Sequence, residues 1–561
     1  MEAKKYTLQE VLRNSADKYS SKLAVSSIDK NSYTYQQFAA KVQSISEFLF
    51  QNGIVKGDRV AILSENHPHW GISYFAITTM GAVAVPIMTE FHESEVHHCL
   101  RHSESKAIFV SAKLYDKIAE VEFEHLNTII LIDDFSVIPN NTKKDFLKEV
   151  ISTGKKEFAK IKAAAMKFAG LVDEEIKEDD LAAILYTSGT TGHSKGVMLT
   201  HGNIVYDAYA TIVLVNIKEG DRMLSILPLY HTYEATLGLV TPLMVGASVY
   251  YLDKPPTPAV LLPALKKIQP TIMLSVPLVI EKIYHGKILH EINKKGFVRS
   301  LYKVPFLRKK INQAAGKKLY ETFGGKLKMF CIGGAALSKD VEIFLREAKF
   351  PYSVGYGLTE TSPLVTGTPP ETTRLSSAGI TLVGMQVKIL SPDFETGEGE
   401  VLIKGPNVMK GYYKDEEKTK AVFTDDGWFR SGDLGLIKDG YLYLKGRSKN
   451  VIIGTNGKNI YPEEIESLIN ENEYVLESLV VEKDKKLIAK VHFNNDILDE
   501  KYNFQKLSDP EARAKKNELM NELLKYVNER ISTFSRLNGI IEQQEPFEKT
   551  PTKKIKRYLY T

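Results

Sequence analysis

Short apolar runs alternate with amphipathic stretches along most of the chain. RVAILSE at 59–65, GAVAVPI at 81–87, KAIFVSA at 106–112 and NTIILIDD at 127–134 are near-continuous apolar segments. That is the pattern of strands covered on both faces. Between them, TYQQFAAKVQSISEFLFQNG at 34–53 carries apolar positions at helical spacing and closes on Gly53, a helix C-cap. Strands alternating with helices predict an α/β fold, with mostly parallel sheets and flanking helices. Two stretches, 66–89 and 235–252, lack Asp, Glu, Lys and Arg. Pro68 and Pro86 in the first, and Gly238, Pro242 and Gly246 in the second, make them buried helix-then-strand units rather than membrane spans. After about residue 446 the segments shorten, and turn residues crowd KNVIIGTNGKNIYPEE. The expected division is a large domain, 1–446, and a small α+β domain, 447–561.

A chain of 561 residues exceeds what one core holds, which agrees with two domains. Its only cysteines, Cys99 and Cys331, exclude a disulfide framework and fit a reducing compartment. The N-terminus has no apolar signal-peptide core, so a cytoplasmic location is expected. The net charge of +5 is uneven: residues 282–328 hold thirteen Lys or Arg against Glu291 and Glu321, leaving the rest of the chain net negative. A solvated helical face is the usual meaning of such a run and is the preferred reading. The sharper one is a peripheral surface for anionic lipid at the inner face of a membrane, with Phe297, Leu301, Tyr302, Phe306 and Leu307 as its apolar complement. Neither zinc-finger spacing nor an RNP-type aromatic run occurs, so nucleic acid is not an expected partner.

The densest chemistry lies in LAAILYTSGTTGHSKGVMLTHGN at 181–203. A strand runs into Thr187, Ser188, Gly189, Thr190, Thr191, Gly192 and Lys195. Small residues let backbone N–H groups approach phosphate oxygens, hydroxyls add donors, and Lys195 adds a cation. The order is not that of a Walker A loop. Glu95, His98, Cys99 and His102 share one helical face and have ligand spacing, but no second distant pair accompanies them. A surface helix is the preferred reading there.

YTSGTTGHSKGVMLTHGN resembles the signature loop of the adenylate-forming enzymes: acyl-CoA synthetases, luciferases and peptide-synthetase adenylation domains. The resemblance extends over nearly the whole chain. It implies ATP as substrate and a site between a large N-terminal and a small mobile C-terminal domain. In GYGLTETSP, Gly355, Tyr356, Gly357 and Thr359 would form the adenine segment, with Tyr356 stacked on the base. Glu360, with Thr187 nearby, would hold Mg²⁺ against the phosphates. Gly333, Gly334 and Ala335 of CIGGAALS would lie along the adenine; Asp433 of WFRSGDLG would grip both ribose hydroxyls; Arg447 would sit near ribose and phosphate. Lys449 matches the family's hinge. His231 of LPLYHTYEATLG would shape the acyl channel without moving a proton. EKTPTKKIKRY matches the family's terminal segment, with Lys554 at the catalytic position. Lys553 stands where the family has glycine, which leaves the choice between the two lysines open.

TGHSKGVMLTHGN, HTYE, the basic insertion and GTNGKNIYPEEIE are most similar to bacterial long-chain fatty acyl-CoA synthetases. The implied reaction forms acyl-AMP and pyrophosphate, then an acyl thioester on coenzyme A. An acyl carrier protein is the alternative acceptor. A non-catalytic lipid- or nucleotide-binding homologue would be expected to lack Glu360, Asp433 or Lys554, and all three are present. Homodimers occur in the family, but the sequence carries no interface signal.

Overall fold

The computed structural model describes residues 5–28, 30–119, 123–139, 175–187, 194–252, 254–294, 296–453, 459–483, 486–550 and 554–560. The four apolar runs become the parallel strands Arg59–Leu63, Val83–Pro86, Ala107–Val110 and Thr128–Leu131. They belong to an eight-stranded sheet that also holds Leu181–Thr187, Lys195–Thr200 and Gly411–Tyr412. The helix Tyr35–Gln51 is started by Thr34 and Gln37, which cap each other's backbone N–H groups. It stops at Asn52, and Gly53 follows with φ of +79°.

A thirteen-stranded sheet carries the other half of the site. Its parallel centre runs Tyr352–Gly357, Met329–Ile332, Ile272–Ser275, Arg222–Ser225, Ser248–Tyr251, Leu23–Ser27. Beyond Tyr352–Gly357 the sheet continues antiparallel through Leu364–Gly367, Gly379–Thr381, Tyr441–Arg447 and Phe429–Lys438. Both uncharged stretches are buried helix-then-strand units. Pro68–Thr79 is buried along its whole length, and Gly71 lets Leu239 approach. The second stretch turns as a π-helix over Ala235–Val240, ends at Gly246 with φ of +77°, and enters strand Ser248–Tyr251.

The chain leaves the thirteen-stranded sheet at Arg447. Beyond it, Val475–Lys483, Lys486–Phe493 and Gly539–Glu542 form a separate three-stranded sheet. Helices Pro462–Asn470 and Asp509–Asn528 bury Ile465, Ile469, Leu519, Leu523 and Val527 in the same apolar cluster as that sheet. No helix among the described residues is long and apolar enough to cross a membrane.

Candidate active site

Strands Leu181–Thr187 and Lys195–Thr200 form a hairpin in which Thr187 lies opposite Lys195. Gly196 permits it: a Cβ there would lie 2.9 Å from the Ile184 side chain. Ser188, Gly189, Thr190, Thr191 and Gly192 lie outside the described residues. Strand Gly411–Tyr412 pairs with the outgoing arm. It sets the Tyr412 ring 4.8 Å from the Lys195 ammonium, within cation–π range. The Tyr412 hydroxyl donates to Glu360 Oε1 at 3.0 Å. Lys195 and Glu360 thus share one tyrosine. Burial lowers the Lys195 pKa, with Lys449 and Lys418 adding to the effect and Glu360 opposing it.

Glu360 sits in the turn Thr359–Thr361, between Tyr352–Gly357 and Leu364–Gly367. Gly357 cannot carry a side chain here, because its Cβ would fall 1.8 Å from the Pro363 carbonyl oxygen. The Glu360 carbonyl accepts from Met409 N at 2.8 Å. Its carboxylate is a hard oxygen donor with a single protein partner described, which fits Mg²⁺ held by one or two carboxylates and by phosphates. The loop around Met409 is fastened to the helix His201–Val215. Asn203 donates to the Pro406 and Val408 carbonyls, and Asn407 donates to Asp207 Oδ1 at 2.9 Å. Asp207 also accepts from Leu364 N at 3.1 Å.

Asp433 and Arg447 face each other across strands Phe429–Lys438 and Tyr441–Arg447. Arg447 Nε donates to Asp433 Oδ1 at 2.9 Å, and the Tyr356 hydroxyl donates to Asp433 Oδ2 at 2.7 Å. Tyr356 is buried, and its ring is held by that hydroxyl. Each Asp433 oxygen has one donor and can accept another. Gly333 and Gly334 end strand Met329–Ile332, with Ala335 exposed beside them. Gly334 has φ of +84°, and a Cβ on Gly333 would lie 3.2 Å from the Tyr233 ring. Tyr233 is held by donating to the Cys331 carbonyl at 3.1 Å.

His231 precedes the turn Thr232–Glu234 and packs edge-on against Tyr230. Burial, with help from Lys554, takes its pKa down to about 4, so the ring is neutral at neutral pH. Lys554 is open to solvent yet closely surrounded by protein. Burial and Arg447 lower its pKa, while Asp433 and Glu360 oppose. One lysine from the end of the chain thus lies within electrostatic reach of Asp433, Glu360, Arg447 and His231. Lys553 lies outside the described residues. Lys449 is exposed in the turn Ser448–Asn450, just after Arg447.

Glu95, His98, Cys99 and His102 do lie on one helix, Glu93–Ser103. Cys99 is fully buried, the His98 and His102 rings stack, and His102 Nδ1 shares a 2.8 Å hydrogen bond with the Tyr186 hydroxyl. Among the described residues, no group of three or more His, Cys, Asp or Glu could hold a metal ion. Sequence reading passed over Tyr412, Tyr233, Asp207 and Asn407. The aromatic pair in KGYYKD and the tyrosine two residues after His231 in HTYE were the visible signals for the first two.

Residues 12–413 match the AMP-binding enzyme family. A chloroplastic Arabidopsis thaliana protein, long-chain-fatty-acid–[acyl-carrier-protein] ligase AEE15, is 28% identical across 98% of this chain and 84% of its own length. A Bacillus subtilis long-chain-fatty-acid–CoA ligase is 30% identical across 84% of this chain and 82% of its own. In fold, the chain is similar to ATP-bound MatB from Rhodopseudomonas palustris, with TM-score 0.76, 24% identity, and coverage of 99% and 98% of the two chains. Two paired strands with Thr187 opposite Lys195, a carboxylate at Glu360 and the Asp433–Arg447 pair thus stand in a chain that belongs to the AMP-binding enzyme family, the adenylate-forming ligases.

Proposed function

We propose that the protein activates long-chain fatty acids with ATP and passes the acyl group to coenzyme A. The observation that carries the adenylation site is that the Asp433–Arg447 pair, held by Tyr356, and the Glu360–Tyr412–Lys195 group occur together with Lys554 in electrostatic reach of Asp433 and Glu360. A carboxylate is a poor acyl donor because its leaving group would be oxide. In the first step a carboxylate oxygen attacks the α-phosphorus and pyrophosphate leaves. Lys195 and Lys554 offset the charge that builds on the phosphoryl oxygens. Mg²⁺ held by Glu360, with Thr187 nearby, would neutralise the triphosphate. Asp433 accepts from the ribose hydroxyls, Arg447 lies near ribose and phosphate, and Tyr356 packs along the adenine beside Gly333, Gly334 and Ala335. The loop residues Ser188 to Gly192 cradle the phosphates. In the second step a thiol sulfur attacks the acyl carbonyl, AMP leaves, and the thiol proton goes to solvent.

The two steps need different groups in one place. Residues 447–561 would turn as a unit about Lys449, withdrawing Lys554 before the thiol enters. Neutral His231 would shape the acyl channel without taking a proton. Segments 227–245 and 272–284 would line that channel, and Met223, Leu237, Ile272 and Leu274 already form an apolar cluster between them. An acyl carrier protein is the second acceptor to consider, favoured by the name of the plant relative similar over 98% of this chain.

The test is product analysis by mass spectrometry with ATP, Mg²⁺ and fatty acids from short to long, with coenzyme A or a carrier protein bearing phosphopantetheine. Acyl-CoA and AMP from long acids are expected. Acyl-AMP that moves only to the carrier protein would reassign the acceptor, and no product from any long acid would refute the substrate class.

A further inference from the structure

We propose that the described residues between Lys294 and Lys310 form a docking surface for an anionic lipid bilayer. The segment runs from helix His290–Lys294 through Gly296–Tyr302 into the start of Pro305–Thr322. Between Ile292 and Tyr320 the chain has nine Lys or Arg and no acid. The inner side is fastened. The Tyr302 hydroxyl donates to Asn312 Oδ1 at 2.9 Å and lies 3.3 Å from the Tyr284 hydroxyl. Arg308 clamps Glu347 through both Nε and the terminal guanidinium nitrogen. These contacts hold the turn in place and leave its outer side unused.

That outer side presents Phe297 at 76% exposure, Phe306 at 69% and Val304 at 48%. None of the residues on Gly296–Tyr302 is buried. Single exposed apolar side chains are ordinary, but two aromatics and a valine within ten residues, set among cations, are a different composition. Lys294, Arg299, Lys303, Lys309 and Lys310 are exposed, and none forms an ion pair among the described residues. Aromatic rings that enter the headgroup boundary, ringed by Lys and Arg that meet anionic lipid, are the chemistry of a peripheral membrane contact.

An acidic protein would also satisfy the cations. The exposure favours lipid: Phe297 and Phe306 stand mostly in solvent on a helix-turn-helix tip, and a fluid apolar layer accepts such rings without a matching surface. Along the chain the tip follows the segment assigned above to the acyl channel, after the π-helix Tyr284–Leu289 and the helix His290–Lys294. A substrate that partitions into bilayers would then enter near where the protein rests. That last link depends on the proposed substrate, whereas the docking does not.

The test is sedimentation of the full chain with vesicles of phosphatidylcholine alone or mixed with phosphatidylglycerol, at low and high salt. Binding to the mixed vesicles should exceed binding to neutral ones by about tenfold or more and weaken with salt. Phe297→Ala with Phe306→Ala, and separately Lys303→Glu with Lys309→Glu and Lys310→Glu, should each reduce it by about tenfold or more. Their thermal unfolding midpoints should match the parent's. If the alanine pair fails to fold, Phe297→Trp serves: its emission should shift to the blue with mixed vesicles only. Equal binding by parent and charge-reversed protein would overturn the proposal. So would saturable binding of an acidic carrier protein, lost on charge reversal, without any binding to vesicles.

Discussion

Glu234→Gln should stabilise the protein, and by an amount that grows with pH. Glu234 is 1% exposed, and its Oε2 has no hydrogen-bond partner. Ser225 is the one side chain that favours its charged form. Gly238, one turn on, gives the carboxyl room: a Cβ there would lie 2.7 Å from it. Burial raises the Glu234 pKa from 4.5 to about 8. Below 4.5 the folded and unfolded states both hold the proton, so nothing is lost. Between 4.5 and 8 the unfolded chain releases a proton that the folded one keeps, so stability falls as pH rises; above 8 the loss is constant. At about 1.4 kcal/mol per pH unit, the loss is about 3 kcal/mol at pH 7 and about 5 kcal/mol above pH 8. Gln has the same shape, can donate to Ser225 and does not titrate. Urea unfolding of parent and variant, near pH 5 and near pH 8, isolates the difference, because all other groups cancel. A variant advantage that is absent, or the same at both pH values, would refute the burial of an isolated carboxyl.

Lys554→Ala should lower acyl-AMP formation by about a hundredfold or more while thioester formation from supplied acyl-AMP stays within a few-fold; equal loss of both half-reactions, read by single-turnover kinetics, would remove Lys554 from the first step. Because burial and Arg447 bring the Lys554 pKa below 10.5, adenylation should fall as pH rises through a value under 10.5, and Lys554→Arg should move that limb upward in a pH–rate profile. Asp433→Asn replaces an oxygen that pairs with Arg447 or Tyr356 by an amide donor, so ATP binding followed by calorimetry should weaken by about tenfold or more. Gly357→Ala would force a methyl against the Pro363 carbonyl and should destabilise the fold by about 1–3 kcal/mol or more in the same urea assay, taking the Glu360 turn with it.

The apolar runs were legible because a strand buried on both faces needs nothing but its own side chains to announce it. Arg59–Leu63 through Thr128–Leu131 fell where those runs lie. So did the helix that Gly53 follows, because capping residues act within one turn. Glu360, Asp433, Arg447 and Lys554 were legible through their short flanking motifs, and the fold brings them within electrostatic reach of one another. The supports were not legible. Asn407 reaches Asp207 across 200 residues of sequence, and Tyr412 reaches Glu360 across 52. Such partners are chosen by packing between sheets, which leaves no periodic trace. The buried Glu234 was hidden for the opposite reason: in HTYE it looks like any helix-starting acid. Phe297 and Phe306 were visible as residues, but only their exposure separates a docking tip from a solvated basic helix.

The most direct measurement is pyrophosphate exchange into ATP, with Mg²⁺ and a long-chain acid but no thiol. Exchange that depends on the acid, needs no coenzyme A and disappears in Lys554→Ala is expected. Exchange that ignores the acid, or cleavage of ATP to ADP and phosphate, would contradict adenylation at this site.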